Sequence, residues 1–476
     1  MMRGSLKYLS LAAALLLSAC MVGPDYHKQV PDTALIDKTW HAPLPHGGTT
    51  ADLANWWQQF DDPVMTDLIL KAQTSSPSLD QALARVRQAR ALVTENKATL
   101  LPTLNGTASV TRGQTGAAGR TLQQTTTIAA LDAGWEIDLF GGRRRGIEQT
   151  KAQLQSTQAG WHDARVTLAA EVADTYVLVR ACQNDLQVLE RRVKSQNDTL
   201  GLVNLKTKAG FSSTSDSDLS AATAAEALNN LESQKGICAQ DVNRLVQLTG
   251  QPAAEIDAAL ASAKGTVPQP RATDIFSIPA KTLDQRPDVA VAERNLAAAS
   301  AAIGVATAAE YPSFSLGGAI GINKVSGSSN VSTWSFGPVL SLPIFNGGAL
   351  KAETERTRGV FDENLAIYRQ TVRVAVNDVE DALARLDAVN RRMGAAEQSV
   401  DRYRKYLASL ESSYKAGVSS LLDLEDARRT VYNAEENLII AKQERAEAWI
   451  ALYKAAGGGW SGDFAIPPTA TQAEKK

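Results

Sequence analysis

Catalytic signatures are missing from this chain of 476 residues. It contains no HExxH, no Walker phosphate loop and no GxSxG, so the usual carriers of hydrolytic and nucleotide-driven chemistry are absent. Histidine is scarce, with only His27, His41, His46 and His162. His41 and His46 share a Pro/Gly-rich stretch, which is too little for a metal centre, and no metal site is assigned. Charge of one sign is also lacking. The formal net charge is −2, which removes the electrostatic case for a nucleic-acid partner. No stretch reaches about 18 consecutive apolar residues, so no transmembrane helix is expected. Cysteine is confined to Cys20, Cys182 and Cys238.

The N-terminus carries a targeting pattern. Arg3 and Lys7 form a short positive region, Leu9 to Leu17 is a short apolar stretch, and Leu17-Ser18-Ala19-Cys20 closes it. This reads as a signal peptide over residues 1–19. Small residues before a cysteine are the lipoprotein pattern, in which Cys20 becomes the new N-terminus and carries S-diacylglycerol and N-palmitoyl chains. The plainer alternative is an ordinary signal peptide beside a chance cysteine. Residue 21 is Met rather than Asp, so the common inner-membrane retention signal is absent.

The chain is written twice. The apolar seam Val172, Tyr176, Val179, Cys182, Leu186, Leu189, Val193, Leu200, Val203 recurs 207 residues later as Val379, Leu383, Leu386, Val389, Met393, Ala396, Val400, Leu407, Leu410. Both copies share the same irregular step, and Lys208-Ala209-Gly210 then matches Lys415-Ala416-Gly417. Alternating three- and four-residue steps mark helices packed as coiled coils. Proline-free runs from roughly Arg143 to Ala209 and Ala349 to Ala416 predict helices on the order of 100 Å long. Returning helices are expected at about Ser217–Leu248 and Leu422–Ala455, giving one long hairpin per half. Cys182 and Cys238 lie equally far either side of Gly210, so an antiparallel hairpin brings them together. A disulfide is expected there, two buried thiols being the alternative.

Different material separates the helices. Thr103–Arg112 and Thr125–Leu139 are rich in Thr, Val, Ile, Ala and Leu, divided by a polar loop over residues 113–124. Ser313–Asn323 and Ser332–Ile344 repeat the arrangement in the second half. Each pair reads as a β-hairpin. Pro102 and Pro312 stand at the helix-to-strand junctions, and Gly141-Gly142 and Gly347-Gly348 at the returns. Segments of about ten residues suit a membrane-spanning barrel, yet four strands cannot close one and open edges are not tolerated in lipid. Identical copies must therefore share the barrel. Three copies supply twelve strands above twelve helical segments.

The expected fold is an α+β membrane protein: a trimeric 12-stranded β-barrel continuing into a long periplasmic α-helical barrel of coiled-coil hairpins. The division follows: lipidated segment 20–63; helical barrel and equatorial region 64–101, 143–311 and 349–456; β-hairpins 102–142 and 312–348; tail 457–476.

Val22-Gly23-Pro24-Asp25-Tyr26, Trp56-Trp57, Asp62-Pro63, Asp138-Leu139-Phe140-Gly141-Gly142, Arg286-Pro287-Asp288 and Leu342 to Gly348 run in order along the chain. With Cys20 and the stretch Tyr414 to Leu424, they make it resemble the TolC-like outer-membrane efflux family, in its lipidated branch. The resemblance implies a homotrimer in the outer membrane, lipid-anchored and extending into the periplasm. It implies a periplasmic adaptor (membrane fusion) protein and an inner-membrane efflux pump as partners, and no cofactor besides the covalent lipid. The function implied is a passive exit duct for drugs and toxic compounds, with no enzymatic activity. A type I protein-secretion channel and a periplasmic coiled-coil adaptor lipoprotein are the alternatives. Trp56-Trp57 is expected to pack the N-terminal segment.

By the same resemblance, Val418 and Leu422 match constricting positions of a periplasmic gate, Asp423 and Asp426 acidic-ring positions, and Arg429 an inter-helix partner, with Tyr414 at the same tip. Spacing places Val418, Leu422, Asp426 and Arg429 on one helix face. Helix capping or macrodipole stabilisation is the other reading for the two acids, and it can hold together with a gate role; a solvated surface charge is the alternative for Arg429.

Overall fold

The computed structural model describes residues 21–28, 53–117, 120–262, 265–271, 283 and 285–466. Cys20, the signal peptide, His41 and His46 lie outside them. After a 3₁₀ turn, Leu53–Phe60, come helices α1 (Pro63–Ser75) and α2 (Pro77–Ala98) and strands β1 (Thr103–Ala117) and β2 (Arg120–Ile137). The first hairpin is α3 (Gly142–Lys208) and α4 (Thr214–Thr249), followed by α5 (Ala253–Ser262) and α6 (Pro287–Ala308). Strands β3 (Ser313–Val325) and β4 (Val331–Ser341) precede the second hairpin, α7 (Ala349–Lys415) and α8 (Leu421–Ala455). Helices α3 and α7 have 67 residues each, as the duplicated seam predicts.

Two compact units divide the chain. The unit of residues 1–30, 83–159 and 290–371 holds one antiparallel sheet of order β1-β2-β3-β4. Its strands exceed the expected ten residues: β1 has 15 and β2 has 18, because the Gly/Thr/Gln stretch read as a loop continues the ladder as far as Ala117↔Arg120. Register resolves the uneven alternation. Leu104↔Ala133, Leu131↔Ile320 and Ile320↔Trp334 fall on one face, with Phe336 and Leu340 beside them. Asn105↔Asp132, Asp132↔Ala319 and Ala319↔Ser335 fall on the other. An apolar face backed by a largely polar one is the pattern of a lipid-exposed barrel wall.

The same unit holds residues 21–28 against the strand-to-helix turn. The Val22 amide donates to the Phe140 carbonyl at 3.1 Å. Arg145, 1 % exposed, donates to Asp25 and Glu148 at 2.7 Å each and to the Val22 carbonyl at 3.2 Å. Gly23 has φ +90° and lies so close to Gly304 that a Cβ on it would sit 2.4 Å from the Gly304 Cα. Only glycine meets both conditions.

The second unit, residues 31–82, 160–289 and 372–476, carries the main apolar core. Trp56 stacks on Trp449 at 4.8 Å and Trp57 lies 4.5 Å from the Tyr453 ring, so the paired tryptophans are packing residues. Asp62 caps α1, accepting from the Val64 and Met65 amides at 3.0 and 3.1 Å, and its second oxygen accepts from the Tyr176 hydroxyl at 2.8 Å. Arg286 is buried and reaches Asp288 at 2.7 Å, Asp378 at 2.9 Å and the Ala455 carbonyl at 2.9 Å. Cys182 and Cys238 are joined in a disulfide between α3 and α4, with Cα atoms 5.7 Å apart. Among the described residues α6 alone is long and apolar enough to cross a membrane, and 67 % of that window is buried, as in a core helix. Its few charges interrupt the apolar run, which is why a count of consecutive apolar residues passes over it.

Candidate functional site

The two hairpin tips are built alike because their sequences are duplicated. Gly210 and Gly417 each have φ +78°. Phe211 N–H donates to the Lys206 carbonyl at 2.8 Å, and Val418 N–H to the Ser413 carbonyl at 2.9 Å. These bonds close α3 and α7 with the six-to-one bond of a left-handed glycine cap. A capping box then opens each returning helix. Asp216 accepts from the Ser213 amide at 3.2 Å, and Asp423 from the Ser420 amide at 3.1 Å, while Ser213 and Ser420 cap the Asp216 and Asp423 amides at 3.1 Å. Hydrogen bonds from Ser420 hold the Asp423 carboxyl below its ordinary pKa.

This geometry revises the gate reading in one respect. Helix α8 begins at Leu421, so Val418 lies in the turn before it and does not share a helix face with Leu422, Asp426 and Arg429. The glycine cap and the Ser420 box require non-helical backbone between them. Val418 is 81 % exposed and Leu422 60 %. Asp426 and Arg429 form an exposed pair at 2.9 Å. Asp423 takes the capping role. Tyr414 is half-buried, with the Lys206 ammonium 4.6 Å from its ring centroid.

Sequence reasoning passed over the residues that fasten one hairpin to the other. Arg428, next to Arg429, is buried and pairs with Glu425 at 3.0 Å, with Glu411 at 3.6 Å and with the Thr199 hydroxyl of α3. Gln196 of α3 donates to Glu425 at 2.5 Å and accepts from Thr223 of α4 at 3.2 Å. One turn along α8 from Val431, Glu435 is 7 % exposed and accepts from Arg191 of α3 at 2.8 Å and from Arg404 of α7. The signal was present: Arg428 and Glu435 continue the buried row Leu424, Ala427, Val431, and a charge inside an apolar seam demands a partner. These contacts make a polar latch across four helices of one chain, with exposed apolar residues at the tips. Among the described residues no group of three or more His, Cys, Asp or Glu side chains could hold a metal ion.

The family model for the outer membrane efflux protein matches residues 68–251 and 278–458, one stretch per half of the repeat. The chain belongs to this family. Nodulation protein T of Rhizobium leguminosarum bv. viciae is 33 % identical over 475 residues, covering 98 % of this chain and 95 % of that one. The probable efflux pump outer membrane protein TtgC of Pseudomonas putida is 32 % identical, covering 95 % of each. Among solved structures, the outer-membrane channel OprN superposes with TM-score 0.83 at 29 % identity, over 93 % of this chain and all of that one. The open state of the Neisseria gonorrhoeae MtrE channel gives 0.76 at 26 %. The fold is thus that of the trimeric channels of this family, and the protein is an outer-membrane efflux channel.

Proposed function

We propose that this member of the outer membrane efflux family works as a lipid-anchored homotrimer. It takes small toxic molecules from an inner-membrane pump through a periplasmic adaptor and releases them passively outside. The observation that carries the trimer is the sheet. Among the described residues strands β1 and β4 each have one neighbour, so the two edges are open in a wall whose face is apolar. Lipid does not tolerate unpaired strand edges, so β4 of one copy pairs with β1 of the next. Twelve strands lie within the range that such barrels use.

Several features support the remaining parts. The clamp of Arg145 on Asp25 and the bond from Val22 to Phe140 hold residues 21–28 at the base of β2, one residue from Cys20. That is where acyl chains on Cys20 would enter the inner leaflet. Phe211 and Val418, 84 % and 81 % exposed at equivalent tip positions, offer paired apolar contacts for an adaptor. The polar latch supplies a closed state, and Leu422, Asp426 and Arg429 are the positions proposed to meet across the axis. Catalysis has no part in this reading, since the channel only conducts.

Unboiled electrophoresis of outer-membrane fractions, with planar-bilayer recording of the purified protein, tests the proposal. A heat-dissociated trimer that conducts ions is expected. A water-soluble single subunit that never conducts would overturn it.

A further inference from the structure

A cavity of about 560 Å³ opens in the sheet-bearing unit, framed by the last turn of α2, the first turns of α3, α6 and the N-terminal segment. Four cations line it: Lys97, Arg144, Lys151 and Arg294. Arg144 is paired with Asp138 at 3.1 Å, and Arg294 with Glu293. The single carboxylate in the lining, Glu148, is taken by Arg145 at 2.7 Å. Among the described residues Lys97 and Lys151 have no ion-pair partner, and because Arg145 is shared between Glu148 and Asp25, the cations and carboxylates around the cavity leave it with one net positive charge. Its floor is apolar, with Leu100, Ile147 and Ala297. Tyr26 stands at its rim, with the Arg294 guanidinium 5.8 Å from its ring centroid.

The position of the cavity selects the ligand. Leu100 lies three residues before β1, and its carbonyl accepts a hydrogen bond from the Trp135 indole at 2.9 Å. Trp135 pairs with Leu316 on the apolar, lipid-facing side of the sheet. A half-exposed tryptophan with its N–H turned to backbone at the strand base marks the membrane–water interface. The cavity therefore lies at the level where hydrocarbon gives way to headgroups.

We propose that this cavity binds the phosphate-bearing headgroup of an anionic phospholipid of the inner leaflet. Lys97 and Lys151 meet the phosphate, Arg144 and Arg294 lend hydrogen-bond donors, and the apolar floor takes the glycerol end of the acyl chains. Basic pockets below a hydrophobic wall hold anionic headgroups elsewhere for the same reasons. The inference rests on the outer-membrane placement and on the apolar face of the sheet meeting lipid, and is independent of gating and of lipidation at Cys20.

Native mass spectrometry of the full-length protein in detergent tests it, with phosphatidylglycerol and phosphatidylcholine of identical acyl chains and with inorganic phosphate as competitor. Phosphatidylglycerol should bind preferentially. Lys97→Gln with Lys151→Gln should lower its affinity about tenfold or more and leave phosphatidylcholine unchanged. Equal phosphatidylglycerol binding by the double variant would overturn the assignment. So would displacement of the lipid by inorganic phosphate at equal concentration, which would make the occupant a soluble anion. The double variant should still form trimers and conduct, so a failure here is separable from a failure of the channel reading.

Discussion

Gln196 on α3 donates to Glu425 on α8 at 2.5 Å, joining the two copies of the repeat near their tips. Arg428 completes the arrangement from the other side, at 3.0 Å from the same carboxylate. Truncating Arg428 leaves Glu425 and Glu411 facing each other with no cation between them. Removing one partner of a buried pair costs on the order of 3–5 kcal/mol. Arg428→Ala is therefore expected to loosen the tips and raise single-channel conductance severalfold in planar bilayers, while the trimer persists on unboiled gels. Wild-type conductance in that variant would remove the latch from the mechanism.

Asp426 and Arg429 require a separate argument. Their ion pair is exposed and local, and such pairs contribute roughly 0.2–1 kcal/mol within a chain. Asp426→Ala with Arg429→Ala should leave the fold of one subunit untouched. If these residues meet their copies across the trimer axis, the double variant should still increase conductance. Unchanged conductance would return both to the status of solvated surface charges.

The duplicated seam and the four strand segments made the architecture legible, since helix period and helix breakers are local signals. The strand ends were not legible. The Gly/Thr/Gln stretch has the composition of a loop, and only pairing of Gly113 with Gln124 and its neighbours in the ladder makes it strand. The latch was hidden for another reason. Arg428 and Arg429 are adjacent and identical in type, and only the direction of their side chains on α8 separates a buried partner of Thr199 from a solvent-exposed one. The clamp of Arg145 on Asp25 joins residues 120 positions apart, which no periodicity reports.

The disulfide between α3 and α4 closes a sequence separation of 56 residues. Constraining a loop of that size in the unfolded chain is worth about 4 kcal/mol in the chain-entropy model. Cys182→Ser with Cys238→Ser should lower the melting temperature of the purified channel without changing its conductance. Alkylation should add mass at both positions only after reduction. Labelling of the unreduced, denatured protein at Cys182 would show that the bridge does not form.

Two desolvated ionisable groups, half-buried Asp174 and buried His162, should shape stability between pH 4 and 7 in opposite directions. Burial first, and then Glu447, push the Asp174 carboxyl up to about 7. The folded protein then keeps a proton that the unfolded chain releases near pH 4, so stability falls as pH rises through this window. His162 meets the Trp161 ring edge-on at 5.0 Å and the tilted Trp460 ring at 5.7 Å. Burial, and then Arg165, lower its imidazole to about 4. The unfolded chain takes up that proton near pH 6.5, so this contribution grows as pH rises from about 4 to 6.5. Asp174→Asn should tilt the profile toward higher stability at pH 7.5 relative to pH 5, and His162→Gln should tilt it the other way. Melting temperatures at the two pH values check both, and parallel profiles for the variants and the wild type would refute the assignment.

Neighbouring residues on β4 give the sharpest test of which side of the sheet meets lipid. Trp334 pairs with Ile320, which pairs with Leu131, so it lies on the apolar face, and it is 80 % exposed in the single chain. Ser335 pairs with Ala319, which pairs with Asp132, on the polar face. A lysine near the bilayer midplane costs roughly 2–4 kcal/mol on a lipid-facing position and little on a lumen-facing one. Trp334→Lys should therefore reduce the yield of heat-modifiable trimer in outer-membrane fractions severalfold. Ser335→Lys should assemble normally and, by adding one positive charge per copy to the pore wall, shift ion selectivity toward anions. Equal loss of trimer in both variants would mean that the two faces are not divided between lipid and lumen as the register assigns them.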